Sequence, residues 1–559
     1  MELGPQKINY QMSISIKILC VVLILLTATL ADATTYYLSA TGTATLKSNA
    51  TSGCVDGADS AYLSIAGHNG ETFIAGDTLV FCDDGGSTYT GQLLPPSSGE
   101  DGNRITYRAE TGTTITIDAN SLTNRTWRNV GQSYIIVQNL IFTGATGTCV
   151  MNVTDSGADV IDVVFSNVTA HSCGGAGISF WATHDYPAQK VSDVAVGDST
   201  SYNNQTAGIN AFGGARIEYV IFRRNLVYNN NQSEGLHNAI SVSHTRSDTL
   251  LTSGWTQDGG IDGDGDYYQA LALTPLRVVR DSEAGTKVEL TQGSGNLGTN
   301  EWEYRDGNLH IDIGEDPAGI DIVYSYASKQ YIYFESNYVY GTKDSTTGAD
   351  GDGMFMDWFT ENGYARYNFI RDNEGGGLHL KTTKNVDVYG NIIVNNGRMG
   401  IQMRLGIYNI GVYNNVIYGN TQSGIALLED CDTVVMQNNI ISENGAYGIN
   451  DVYDQSSSES EDYNDIYFNS SGERNNISVG SNTVTGDPLF VDVANDQYWI
   501  QDSSPAKQTG TPIDLGLDGG KGLLSTSSWP DDVKTFQRSN PPSMGAYFLG
   551  GVSTGMGLN

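Results

Sequence analysis

Apolar positions in this chain do not recur with the 3.6-residue period of an amphipathic helix. They fall in short segments that alternate inward and outward residues, each closed by Gly or Asn, which is the pattern of short β-strands. Three segments show it most plainly: Asn391-Ile-Ile-Val-Asn-Asn-Gly-Arg-Met-Gly-Ile401, Asn415-Val-Ile-Tyr-Gly-Asn-Thr-Gln-Ser-Gly-Ile425 and Asn439-Ile-Ile-Ser-Glu-Asn-Gly-Ala-Tyr-Gly-Ile449. Their Gly-Ile positions step by 24; upstream, Leu378 precedes Ile401 by 23 and Met354 precedes Leu378 by 24, with weaker copies at Ile178 and Ile209. A unit this small cannot bury its apolar face alone, so it must stack on its neighbours. The pattern predicts an all-β solenoid in which the recurring Asn forms a ladder of side-chain amides that satisfies the backbone of the corners.

The alternation breaks between about His244 and Tyr326. Within that interval, Asn300-Glu-Trp-Glu-Tyr-Arg-Asp-Gly-Asn-Leu-His-Ile-Asp-Ile-Gly-Glu-Asp-Pro alternates like a β-hairpin, which predicts an inserted β-rich module. Its Asp262-Gly-Asp-Gly-Asp266 run is either a solvated acidic turn or a candidate Ca²⁺ site through Asp262, Asp264 and Asp266. It is not an EF-hand loop, because Tyr267 stands where that loop needs glycine and Leu273 where it needs its bidentate acid.

The repeat resembles the right-handed parallel β-helix family of secreted polysaccharide-active proteins. Tyr36-Tyr-Leu-Ser, Ala75-Gly-Asp-Thr-Leu-Val and Asn103-Arg-Ile-Thr-Tyr-Arg-Ala look like that family's opening, and Gly486-Asp-Pro-Leu-Phe-Val-Asp with Met544-Gly-Ala-Tyr like its close. The expected organisation is a signal peptide over 1–33, a cap and first coils over 34–115, β-helix over 116–244, the insertion over 245–326, β-helix again over 327–500, and a closing segment over 501–559. One fold hosts many chemistries, so the resemblance in fold does not name a reaction.

Composition narrows the class. The 559 residues carry 29 Lys plus Arg against 63 Asp plus Glu, a net charge of −34, which argues against a nucleic-acid partner. With 67 Gly but only 12 Pro, and with 32 Tyr, the chain is neither collagen-like nor a disordered tail. Ile18 to Leu26 form an apolar run after Lys7 and Lys17 and before Ala31-Asp32-Ala33, the order of a secretory signal, so a secreted chain with no membrane segment after cleavage is expected. Cys54 and Cys82 are candidates for a disulfide in an oxidising compartment, Cys149 and Cys173 lie one repeat apart so that simple stacking accounts for them, and Cys431 has no evident mate.

Candidate chemistry follows from the period of two. In Gly400-Ile-Gln-Met-Arg404, Ile401 and Met403 point inward and Gln402 and Arg404 outward. The same register exposes Phe355 and Asp357, then His379 and Lys381, then Gln402 and Arg404, then Ala426 and Leu428. Coils stack about 4.8 Å apart, so Asp357, Lys381 and Arg404 should form one outward ladder beside His379 and Gln402. Trp181 and Phe212 lie further along the column and Trp358 just past Asp357. Aromatic faces beside charges suit sugar rings, and Trp181, Phe212, Phe355, Trp358 and Gln402 are the candidate substrate-binding residues.

Two enzyme readings compete. The column resembles that of the β-helix polysaccharide lyases of the chondroitinase B and alginate lyase family. There a Lys acts as base, an Arg one coil later as acid, and an upstream carboxylate helps a Ca²⁺ ion. Lys381-Thr-Thr-Lys-Asn385 matches the family's spacing, Gly400-Ile-Gln-Met-Arg404 matches after a two-residue shift, and Glu374 sits where one family carboxylate would, though Gly376 replaces the second. The resemblance implies β-elimination on a uronate polymer, with Ca²⁺ as the implied cofactor and Glu374 as a candidate ligand beside the column. The second reading is a glycoside hydrolase. Asp350-Gly-Asp352-Gly-Met-Phe-Met-Asp357 and Gly377-Leu-His-Leu-Lys381 resemble segments of polygalacturonase-like enzymes, and Asp350, Asp352 and Asp357 would supply the two carboxylates hydrolysis needs. The paired Asp-Asp and Gly-His-Gly motifs of that family are absent. Cross-strand charge pairing accounts for the ladder without any chemistry, and a non-catalytic sugar-binding or adhesin solenoid would show aromatics and amides without a charged cluster.

Charge looks different when localised. Residues 361–404 hold six cations (Arg366, Arg371, Lys381, Lys384, Arg398, Arg404) against four anions (Glu361, Asp372, Glu374, Asp387). A local surplus of cations in an acidic chain suits an acidic polysaccharide as partner, while the acidic remainder favours a soluble monomer.

Overall fold

In the computed structural model the described residues are 33–40, 54, 64–83, 86–155, 157–183, 188–233, 237–243, the strands of 249–325 with isolated neighbours, 329–344, 351–357, 360–454, 458–511, 513 and 544–545. Residues 1–32 of the expected leader, the Asp262–Asp266 run, Asp350 and Trp358 lie outside them.

One coil shows how the repeat becomes structure. Thr383–Tyr389 forms a strand of the first sheet, Ile392–Val394 of the second and Ile401–Arg404 of the third, and the chain re-enters the first sheet at Ile407–Tyr413. Each strand pairs in parallel with its counterpart one coil away, for example Ile392↔Val416 and Ile401↔Ile425. The result is three long parallel sheets of fourteen, twelve and eleven strands among the described residues, with almost no helix. The fold is a right-handed parallel β-helix.

Period-two alternation sends Ile401, Met403, Val386, Val388 and Ile393 into the interior, where each is fully buried and joins one continuous apolar core. Burying one such side chain contributes about 1.5–3 kcal/mol, and no single coil holds enough of them to stand alone. The Gly before each Ile has a steric cause. A Cβ at Gly400 would lie 2.5 Å from Ile417 Cγ2 and 2.7 Å from Gly424 O, so the corner closes only without one.

The expected Asn ladder is present as two ladders. At the corner between first and second sheets, Asn337, Asn368, Asn391, Asn415, Asn439 and Asn464 stack, each passing its Nδ2–H to the Oδ1 of the next at 2.9–3.0 Å. At the corner between second and third sheets, Asn373, Asn396, Asn420, Asn444 and Asn469 do the same at 2.9–3.0 Å. Adjacent corner positions such as Asn395 and Asn414 take left-handed φ of 54°, a conformation asparagine tolerates better than most residues.

The near end is capped by a short helix, Ile65–Asn69, whose Ser64 side chain accepts from the Gly67 N–H. His68 of that helix is fully buried between Tyr107 Oη (3.2 Å) and Asn69 Oδ1 (3.0 Å), and burial pushes its pKa down to about 4 despite the Asn69 bond. Cys54–Cys82 and Cys149–Cys173 are both disulfides, so the second pair is bonded rather than merely stacked. Cys431 is a buried free thiol. Strands between Thr249–Leu251 and Asp321–Ser325 form two separate, mainly antiparallel sheets that interrupt the coils between Ile240–Ser243 and Lys329–Glu335. At the far end Tyr498, Ala506 and Met544 pack on the outer side of the second sheet, over Phe369, Ile392, Val394, Val416 and Ile440. Among the described residues no helix is long and apolar enough to cross a membrane.

Candidate functional site

The outer side of the third sheet carries two columns set by strand register. One runs Ser241, Phe355, His379, Gln402, Ala426, Asn450. The other runs Trp181, Phe212, Ser243 and resumes at Lys381↔Arg404, with Asp357 directly after the strand Met354–Met356 that pairs with Leu378–Lys381. The structure therefore brings Asp357, Lys381, Arg404, His379, Gln402 and Phe355 together.

Expected exposure is where sequence and structure part. Phe355, Asp357 and His379 are each 6% exposed, Gln402 9% and Ala426 fully buried, although all lie outside the apolar core. Period two tells which side of the sheet a residue occupies, but not what then lies over it. Here Phe355 and His379 cover one another, their rings 4.5 Å apart and tilted by 33°, and Lys381 stands against Asp357 at 3.6 Å. Lys381 and Arg404 keep accessible side chains, at 22% and 35%.

The charges form an ordered row. Lys381 Nζ lies 3.6 Å from Asp357 Oδ1, and Arg404 Nε lies 3.4 Å from Glu429 Oε2. With Lys381 and Arg404 adjacent by register, the sequence along the axis is carboxylate, ammonium, guanidinium, carboxylate. Arg404 Nε and Glu429 Oε2 are shut from solvent and make no hydrogen bond among the described residues. Sequence reasoning missed Glu429 because strict alternation put Leu428 in the column. The strand Ile425–Leu427 ends before that position, so the alternation no longer applies.

Beside this row stands a second unit. Asp352 is 2% exposed and uses both oxygens: Oδ1 accepts from the Gly376 N–H at 2.6 Å, and Oδ2 meets His379 Nδ1 at 3.0 Å. Its own backbone N–H donates to Asn238 Oδ1 at 2.9 Å. His379 Nδ1 is directed at Asp352, and the Gln402 amide nitrogen lies 3.4 Å from His379 Nε2. The carboxylate thus fixes the ring's orientation.

Other expected site residues lie apart from this row. Glu374 faces Lys343, which with the Asp344 N–H holds its pKa below the usual range, against the opposing effect of burial. A carboxylate already held by an ammonium is a poor Ca²⁺ ligand. Among the described residues, the one His/Cys/Asp/Glu group close enough to hold a metal is Cys54, Cys82 and Glu110, whose two thiols are spent in a disulfide. Trp181 and Phe212 stack on each other, centroids 5.5 Å apart and planes within 12°, which consumes one face of each ring.

Residues 318–471 match the family model of the right-handed β-helix region. A comparison with curated proteins finds no match. Among solved structures the chain is similar to the A-module of the Azotobacter vinelandii mannuronan C-5 epimerase AlgE4, with 12% identity, coverage of 81% of this chain and 87% of that one, and a TM-score of 0.36. It is also similar to the pectate lyase Pel9A, with 11% identity, coverage of 93% and 98%, and a TM-score of 0.39. A third likeness is to XylC in complex with xylose, with 10% identity, coverage of 73% and 75%, and a TM-score of 0.38. Likenesses this distant carry no argument about chemistry.

Proposed function

We propose that this protein is an exported enzyme that cleaves a uronate-containing polysaccharide by β-elimination, with Lys381 as base and Arg404 as charge stabiliser. The observation that carries the reading is the juxtaposition of Lys381 and Arg404 as accessible cations on adjacent coils, each backed by a carboxylate on its far side. A uronate carboxylate set against the Arg404 guanidinium presents its neighbouring C–H to Lys381, which takes the proton as a neutral amine after releasing its own proton to solvent. Proton removal there builds enolate-like charge on the carboxylate, which the adjacent guanidinium stabilises, and loss of the glycosidic oxygen forms the double bond. A guanidinium does not give up its proton readily, so Arg404 acts electrostatically and solvent supplies the proton to the leaving oxygen. Asp352 and Gln402 hold His379 beside the row as a fixed wall of the site.

Hydrolysis is less well supported, because it asks for two available carboxyl groups flanking the bond. Both oxygens of Asp352 are engaged, and Asp357 is paired with Lys381.

The test is to incubate the protein with polygalacturonate, alginate and chondroitin sulfate and follow ultraviolet absorbance. Unsaturated, absorbing ends support elimination; reducing ends without absorbance support hydrolysis; binding without either supports a carbohydrate-binding solenoid. If Lys381→Ala and Arg404→Ala retain full activity, the site assignment is wrong.

A further inference from the structure

Upstream of the charged row, the outer face of the third sheet changes character. One column runs Met151, Ser179, Asn210, Ser241 and the other Val153, Trp181, Phe212, Ser243, with no charged side chain in either. Three polar atoms here are shut from solvent and make no hydrogen bond: Ser179 Oγ, Trp181 Nε1 and Asn210 Oδ1. Thr342 and Ser442, the other uncharged side chains orphaned in this way among the described residues, stand singly on other coils. Ser179 is fully buried, while Trp181, Asn210 and Phe212 are half-buried and reach the surface.

Register gathers the three. Ser179 and Trp181 are two residues apart on one side of the strand Ile178–Ala182, about 6.6 Å along it, and Asn210 is the partner of Ser179 one coil on, about 4.8 Å away. An orphaned buried donor or acceptor costs folding free energy that an apolar side chain of the same shape would not. The set also has a definite chemistry. The indole N–H only donates, the Asn210 carbonyl oxygen only accepts, and the Ser179 hydroxyl does both. Sugar hydroxyls, themselves donors and acceptors, satisfy all three. A uronate carboxylate does not, because it has no proton for Asn210 Oδ1 and meets no cation in either column. The stacked Trp181 and Phe212 rings supply apolar surface beside the polar atoms.

We propose that Ser179, Trp181 and Asn210 form a subsite for an uncharged sugar unit of the polymer, four coils or about 19 Å along the third sheet from Lys381. The substrate is then a mixed polysaccharide that presents a uronate to the charged row and a neutral sugar here, an inference that rests on reading this face as a polysaccharide site.

The test exposes the full chain to an array of uncharged hexasaccharides of gluco, xylo, manno and galacto configuration, beside galacturonate and mannuronate hexamers. Calorimetry follows on the uncharged hexamer that binds most tightly. Affinity for that hexamer should fall about 3- to 10-fold in Ser179→Ala and likewise in Trp181→Phe, which removes the N–H and keeps an aromatic ring, since each loses one hydrogen bond. Ser179→Ala should keep a Tm no lower than wild type, because its hydroxyl has no partner to lose, so weaker binding there does not reflect unfolding. Failure of every uncharged hexamer to bind the wild type, or wild-type affinity in Ser179→Ala, would overturn the proposal. A loss seen only with the uronate hexamers would overturn it too, by showing that the subsite takes a charged sugar. Lys381→Ala separates the two levels. If it stays active on a uronate polymer, the elimination reading fails and the Ser179→Ala affinities still decide the subsite. If it is inactive while no uncharged hexamer binds the wild type, the subsite alone fails.

Discussion

Replacing Asn415 by alanine isolates what the amide ladder contributes. Asn415 Oδ1 accepts from the Asn391 backbone N–H and from Asn391 Nδ2, both at 2.9 Å, while its own Nδ2 donates to Val388 O and Asn439 Oδ1, again at 2.9 Å. Alanine removes the acceptor of two buried donors and the donor of one buried carbonyl; Asn439 Oδ1 keeps the Asn415 backbone N–H at 3.0 Å. The Asn391 backbone N–H loses its Asn415 acceptor, the Asn391 amide keeps only its bond to Ala365 O at 2.8 Å, and Val388 O loses a donor, all in a buried corner. At about 1–3 kcal/mol for the unsatisfied N–H and about 1 kcal/mol for each of the other two lost bonds, the variant should lose about 3–5 kcal/mol, a large fraction of the roughly 5–15 kcal/mol by which ordinary domains are stable. The matched control is Asn409→Ala on the same coil, an exposed residue whose side chain donates to Asn385 Oδ1 at 2.8 Å, with an expected loss of about 1 kcal/mol or less. Urea unfolding followed by far-ultraviolet circular dichroism reads both. Equal losses in the two variants would refute the claim that the ladder is held by buried amide bonds rather than by coil stacking alone.

Other outcomes follow from single sites. Asp465 is fully buried beneath the closing segment, with Oδ1 on the Gly486 N–H at 3.3 Å. Burial, reinforced by Asp487 and Glu473, pushes its pKa up to about 7. The folded state therefore holds a proton the unfolded chain releases, so stability falls as pH rises from about 4 to 7, and Asp465→Asn should flatten that profile and stabilise the protein by on the order of 2–4 kcal/mol at pH 8, measured by urea titration across pH. Burial pushes the Cys431 thiol up to about 12, so iodoacetamide should label it only at the rate of unfolding; labelling at native conditions within minutes would contradict its placement in the core. Glu429→Gln frees Arg404 from its carboxylate, and binding of uronate oligomers, read by calorimetry, should tighten by a few-fold while Arg404→Ala weakens it by ten-fold or more; the opposite order would remove Arg404 from the substrate site.

The fold was largely legible because a solenoid writes its geometry into the chain as a period. The step of 24 residues from Ile401 to Ile425 to Ile449 reappears as stacked partners on one column, and the recurring Asn at 391, 415 and 439 as one ladder. The lateral neighbours of Lys381 were legible for the same reason, since parallel register turns equal spacing into adjacency. Exposure was not. The period of two assigns a face, whereas burial of Phe355, Asp357 and His379 depends on side chains from other coils and corners closing over that face.

Sequence alone determined the all-β repeat, the inward and outward sets and the alignment of Asp357, Lys381 and Arg404, because each depends on local spacing along the chain. Only the tertiary structure decided that Asp352 grips His379, that Glu429 answers Arg404, and that Cys149 and Cys173 are bonded. Those contacts join residues at unequal separations across corners, where no period carries information and where only the three-dimensional path of the chain sets which groups meet.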